Sequence, residues 1–156
     1  MHPSHIHFNT SAEGGDIAVS LSPVDVASGE SITAVNMKVY TLEEKDLTGI
    51  NGTFSLFERV NGETLAIVML EGTTAGNMHP GHIHMNSAIE GGGIAYSFVP
   101  VDGASGKSVN NIAMLDDGTM ITYEELLNYD GYVNIHNSAE DLATLVAQGD
   151  IGANEL

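Results

Sequence analysis

The stretch Thr53-Phe54-Ser55-Leu56-Phe57-Glu58-Arg59-Val60-Asn61-Gly62-Glu63-Thr64-Leu65-Ala66-Ile67-Val68-Met69-Leu70 decides the fold. Its opening residues, Thr53 to Phe57, alternate in polarity as a half-buried strand does. Its closing run, Thr64 to Leu70, is nearly continuously apolar. Asn61-Gly62 between them is a hairpin-turn dipeptide, so the stretch reads as two antiparallel strands. Downstream, Tyr132-Val133-Asn134-Ile135-His136 is a further alternating strand, and Asp150-Ile151-Gly152 is a last short segment. The chain carries 18 glycines, and they punctuate short strands. Two short helices are expected in the connections. Thr122-Tyr123-Glu124-Glu125 is a capping box that opens Glu124 to Leu127. Ser138-Ala139-Glu140-Asp141 opens Leu142 to Ala147, with Gly149 suited to stop it. The expected class is all-β: an antiparallel, Greek-key-like β-sandwich or barrel with these two helices in its connections.

An internal repeat organises the rest. His2 to Ser31 aligns without gaps on His79 to Ser108, at an offset of 77, with 19 of 30 positions identical. The copies read HPSHIHFNTSAEGGDIAVSLSPVDVASGES and HPGHIHMNSAIEGGGIAYSFVPVDGASGKS. The second copy has the 53–70 hairpin before it and the Tyr132 strand after it. The first has neither. The expected division is a partial duplicate over residues 1–45 and a complete β domain over 46–156.

All 7 histidines fall in three places: His2, His5 and His7; His79, His82 and His84; and His136. In His82-Ile83-His84 the two histidines are two residues apart, so on a strand both rings leave one face while Ile83 enters the core. His79-Pro80-Gly81 reads as a turn that folds His79 back over that face. On the Tyr132 strand, Val133 and Ile135 share one side, and Asn134 and His136 the other. If the two strands are neighbours, four imidazoles converge. His79, His82, His84 and His136 are therefore the candidate metal ligands. His2, His5 and His7 form a weaker set, because no fourth partner accompanies the first copy. Neutral imidazoles without thiolates or oxygen-rich loops point to copper or zinc. Asn134 is a candidate for orienting one of the rings. Met78 and Met85 flank the triplet and read as core fillers rather than axial copper ligands.

Composition bounds the partners. The chain has 156 residues, 42% of them hydrophobic, so a packed core is available. Lys and Arg number 4 against 21 Asp and Glu, a formal net charge of -17. Such a chain lacks the cations that nucleic acid or an anionic membrane surface needs. Cys is 0, which excludes disulfides, thiolate metal sites and thiol nucleophiles. No apolar run approaches membrane-spanning length, and Met1-His2-Pro3-Ser4-His5 does not read as a signal peptide.

His79-Pro80-Gly81-His82-Ile83-His84, Gly91-Gly92-Gly93, Tyr132 to His136 and Gly149-Asp150-Ile151-Gly152 together resemble the CHRD domain, the chordin-type domain of bacterial secreted and cell-surface proteins. The resemblance covers 46–156 fully and 2–31 partly. It implies a β-sandwich outside the cytoplasm, extracellular or on the cell surface, and often repeated in tandem. The family's last segment usually carries Gly-Glu-Ile-Arg-Gly; here the arginine is absent. The histidine pattern is also similar to copper–zinc superoxide dismutase in His82, His84, Ile135-His136 and Asp141-Leu142. That likeness stops short of catalysis. A disulfide is impossible here, Arg59 is the sole arginine, and a charge of -17 repels superoxide.

Three functions follow from these readings. The first is a non-enzymatic domain that binds copper or zinc. The second is a structural module that assembles with a second copy or a tandem-repeat neighbour, since a half-domain leaves strand edges bare. The first segment is then expected to pack on its own domain or to add to a neighbour's sheet. The third is a copper redox enzyme, which requires an open coordination position and a substrate pocket.

Overall fold

The computed structural model describes residues 2–7, 15, 17–24, 27, 36–59 and 61–155. Their strands are β1 (His2–His7), β2 (Ile17–Val24), β3 (Met37–Glu44), β4 (Asn51–Glu58), β5 (Thr64–Glu71), β6 (Met78–His79), β7 (Gly81–Met85), β8 (Ile94–Ser97), β9 (Val101–Asp102), β10 (Lys107–Ile112), β11 (Asp130–His136) and β12 (Leu145–Gly152), with α1 (Tyr123–Leu127) before β11. All the pairings are antiparallel. β1 and β2 make a two-stranded sheet. The other ten strands form one sheet in the order β6-β9-β10-β5-β4-β3-β12-β11-β7-β8. It curls into a half-barrel, which bears out the all-β, antiparallel reading.

The curl has a visible cause at Pro80. Met78–His79 lies at one end of the sheet, against β9. Gly81–Met85 lies at the other, between β11 and β8. Between these strands lies a single residue, Pro80, which has no N–H to offer a ladder. One nearly continuous extended run therefore serves both ends of the sheet and brings them together. The turn expected at His79-Pro80-Gly81 is replaced by this crossover. The curled sheet encloses one core. Phe54 on β4 packs on Phe98, just past β8, with ring centroids 5.4 Å apart. Tyr40, Leu42, Leu56 and Val68 join Ile83, Val133, Ile135 and Ile151 in the same buried cluster.

The 53–70 stretch forms the expected hairpin, β4–β5, paired from Asn51↔Glu71 to Glu58↔Thr64. Gly62 has φ +82 in its turn, a conformation that glycine adopts freely. The Thr122 capping box is present: Glu125 N–H donates to Thr122 Oγ1, and Thr122 N–H to the Glu125 carboxylate. The second expected helix is absent. Ser138 to Asp141 closes on itself as a turn, in which Glu140 N–H reaches Ser138 Oγ and Asp141 N–H reaches Ser138 O. The chain then continues as β12, because Val146, Ala147 and Ile151 fill the core as strand residues beside β11. The local capping pattern is outweighed by tertiary packing.

Met37–Glu44 is an internal strand of the large sheet, between β4 and β12, so the division read at 45/46 falls directly after it. β1–β2 stands apart from that sheet, and Arg59 Nη2 donates to the Ile17 carbonyl at 2.8 Å across the gap.

The β3–β12 seam has only two paired positions, Ala147↔Glu44 and Gln148↔Glu43. Gly149 lets the strands touch just beyond it, since a Cβ there would lie 2.1 Å from Thr41 O. Gly149→Ala is therefore expected to destabilise the protein by about 1–3 kcal/mol in urea unfolding, as overpacking against backbone does. An unchanged midpoint would show that the seam does not hold the sheet closed.

Candidate metal centre

β7 and β11 are neighbours, with Gly131↔Met85, Tyr132↔His84, Val133↔Ile83, Asn134↔His82 and Ile135↔Gly81 in register. This pairing turns Ile83, Val133 and Ile135 into the core, each fully buried. The alternate residues His82, His84, Tyr132, Asn134 and His136 share the opposite face. On it His82, His84 and His136 each offer a ring nitrogen within 4.8 Å of the other two. His82 and His84 are half-buried, and His136 is buried.

Hydrogen bonds fix the tautomers. His136 Nδ1 lies 2.7 Å from the Leu142 carbonyl, which can only accept, so Nδ1 carries the proton. His136 Nε2 then presents a lone pair. His82 Nδ1 lies 3.0 Å from it and is the donor. His84 Nδ1 donates to the Gly92 carbonyl at 3.0 Å. His84 Nε2 is left as a buried acceptor without a hydrogen-bond partner. A buried, unsatisfied nitrogen costs stability unless something fills its valence.

The supporting parts come from turns. Gly92 approaches so closely that a Cβ would lie 2.0 Å from Met85 O; this brings its carbonyl to His84. Asp141 accepts from Thr144 N–H and Asn137 Nδ2, which shapes the loop that carries Leu142 to His136. Tyr132 stacks on the His84 ring, with centroids 4.9 Å apart and planes 18° apart. Asp116 is held by Ser97 Oγ at 2.7 Å, and Ser97 is the residue opposite His82 on β8. The Gly91–Gly93 turn and Asp141-Leu142 were visible in the sequence, but carbonyl direction leaves no mark in side-chain pattern. Asn134 Oδ1 accepts from Gln148 Nε2, so the main-chain carbonyls of Gly92 and Leu142, not the Asn134 side chain, orient the rings.

His79 is not one of the three. It lies in β6, beyond the Pro80 crossover, and its Nδ1 hydrogen-bonds the His136 carbonyl at 3.2 Å. It is buried, and its Nε2 has no partner. Met78 and Met85 are exposed and fill no core, because both flank the run where it leaves the sheet's interior. In the first copy, His5 and His7 lie on β1 with exposed side chains, and the His2 side chain is outside the described residues.

Burial holds the basicity of His82 below the usual imidazole value of 6.5, and His136 and His84 push it further down; Asp116 opposes. His136 is lowered in the same way by burial, with its bond to Leu142 opposing. These two rings are thus held toward the neutral form, which metal ligation requires. The sign for stability follows. Below pH 6.5 the unfolded chain takes up protons that the folded one refuses, so stability falls as pH drops through that value. Metal-free protein is expected to lose urea resistance between pH 7.5 and 5.5, and His82→Asn/His136→Asn to lose less. Equal losses in both proteins would contradict the buried, neutral state of these rings.

Comparison of the chain with protein-family models, with curated proteins and with solved structures finds no match in any of the three.

Proposed function

We propose that the chain is a metal-binding β domain whose centre is His82, His84 and His136, and that its metal is copper or zinc. The observation that carries this reading is His84 Nε2, buried and unpartnered beside two more imidazoles. Three neutral nitrogens suit either ion and leave a fourth position for water or another ligand. Binding exchanges the His82–His136 hydrogen bond for two metal bonds, with the His82 proton moving from Nδ1 to Nε2 so that the ring stays neutral. The carbonyls of Gly92 and Leu142 keep the other two rings aimed at the ion. The charge of -17 concentrates cations around the molecule.

Binding rather than turnover fits the surroundings. Asp116, the carboxylate that acts on His82, is tied down by Ser97 and suits charge compensation. The chordin-type resemblance supports a place outside the cytoplasm, where such a domain would hold a metal for structure or storage.

Calorimetric titration of chelator-treated protein with zinc and with copper tests the reading. One ion per His82–His84–His136 centre is expected. His84→Ala is expected to weaken binding by at least about 100-fold, because it removes a ligand outright, with the far-ultraviolet spectrum unchanged. Asp141→Ala, which loosens the Leu142 loop, is expected to cost about 10-fold to 100-fold. Stoichiometric binding that survives the loss of His84 would sink the centre.

A further inference from the structure

The two copies of the repeat share more than sequence. β1–β2 pairs His5↔Ser20, Ile6↔Val19 and His7↔Ile17, with a shift between Ile6 and His7. β7–β8 pairs His82↔Ser97, Ile83↔Tyr96 and His84↔Ile94, with a shift between Ile83 and His84. These three pairs in one hairpin are the other's at the 77-residue offset, including the irregularity at the second histidine. The histidine geometry follows. The rings of His5 and His7 stand 5.9 Å apart at 82°, and those of His82 and His84 5.7 Å apart at 89°. His7 Nδ1 reaches the Gly15 carbonyl at 2.8 Å, as His84 Nδ1 reaches Gly92. His7 Nε2 is thereby set up as an acceptor in the same way.

The difference lies on the outer edge. β7 has β11 there, which covers Ile83 and supplies His136. β1 pairs only with β2 among the described residues. Ile6 is 51% exposed where Ile83 is 0% exposed. The edge that a strand like β11 would join also differs in sequence. In the complete domain Gly81 makes room for it, since a Cβ there would lie 2.6 Å from Ile135 Cδ1 and 3.1 Å from Phe98 Cδ2. The first copy has Ser4 at that position and Leu21 in place of Phe98.

We infer that the edge of β1 takes the β1 of a second copy, and that one divalent ion bound by His5 and His7 of both chains locks the pair. Two strands joined antiparallel about Ile6 place His5 of each opposite His7 of the other, with Cβ atoms about 4.5–5.5 Å apart. All four rings then leave one face, which supplies the four nitrogens of a tetrahedral site. The two Ile6 side chains meet on the other face and lose their exposure. The contact is two-fold and closed. A strand pair alone buries too little surface to hold two chains of charge -17 together, so the ion is obligatory. The inference rests on the reading that a His-X-His hairpin of this register accepts copper or zinc.

Sedimentation of the full chain with zinc, at several protein concentrations and with bound zinc counted, tests it. Chelated protein is expected to be monomeric. Zinc is expected to produce a dimer with about 1.5 ions per chain, one in each three-histidine centre and one shared. His5→Ala/His7→Ala is expected to stay monomeric with about one ion per chain. Ile6→Lys, which keeps all four ligands but sets two cations across the two-fold axis, is expected to dimerise at least about tenfold more weakly. His82→Ala/His84→Ala is expected to dimerise with about half an ion per chain. A monomer at saturating zinc, open-ended oligomers, or a dimer that persists without His5 and His7 would each overturn the inference. An unchanged ion count in His82→Ala/His84→Ala would instead overturn the three-histidine centre and leave the dimer standing.

Discussion

The ladder between Gly81–Met85 and Gly131–Ile135 is the constraint on which core and site both depend. Side chains alternate across a sheet, so one register sorts two sets of residues at once. It sends Ile83, Val133 and Ile135 inward and His82, His84 and His136 to the other side. A slip by one residue would bury imidazoles without partners and expose three large aliphatic groups. The hydrophobic core therefore enforces the geometry of the three-histidine cluster. Gly81 and Gly131 allow the close approach: a Cβ on the first would meet Ile135, and one on the second would lie 2.7 Å from His84 O.

The parts of this arrangement that obey a period were legible in the sequence. Thr53 to Phe57, Asn61-Gly62 and Thr64 to Leu70 specify a hairpin by alternation and turn chemistry, both local properties. His82-Ile83-His84 and Val133 to His136 specify which residues share a face. Parity also explains the limit of the reading at His79. Three positions separate it from His82, so only a fold-back could bring it to the same face, and Pro80 carries the strand straight through instead. That the two strands are neighbours is a pairing between residues 54 apart, and no local signal encodes it.

Where the reading failed, a local signal met a stronger distant one. Ser138 to Asp141 has the composition of a helix start, and its hydrogen bonds do form, but within a closed turn. Leu145 to Gly152 then lies in a sheet because β11 offers it a full ladder and the core takes Val146, Ala147 and Ile151. The strand Met37–Glu44 likewise owes its place to distant partners. It follows the first copy in sequence but pairs with β4 and β12. The carbonyls that aim His84 and His136 were hidden for another reason: main-chain direction at Gly92 and Leu142 depends on turn geometry, which side-chain identity only loosely constrains.

The spacing of the ligands along the chain also sets when the centre comes into being. β7 and β8 are made early and can close as a local hairpin, but His136 arrives 54 residues after His82. During synthesis the nascent chain first presents a His-X-His pair on an unfinished sheet edge, much as β1 presents His5 and His7. Long-range strand pairing is slow compared with local closure, so the third imidazole is among the last groups to be placed. Occupancy of the proposed centre would then be a readout of completed folding, and an ion that prefers three nitrogens to two would favour the finished sheet over the intermediates that lead to it.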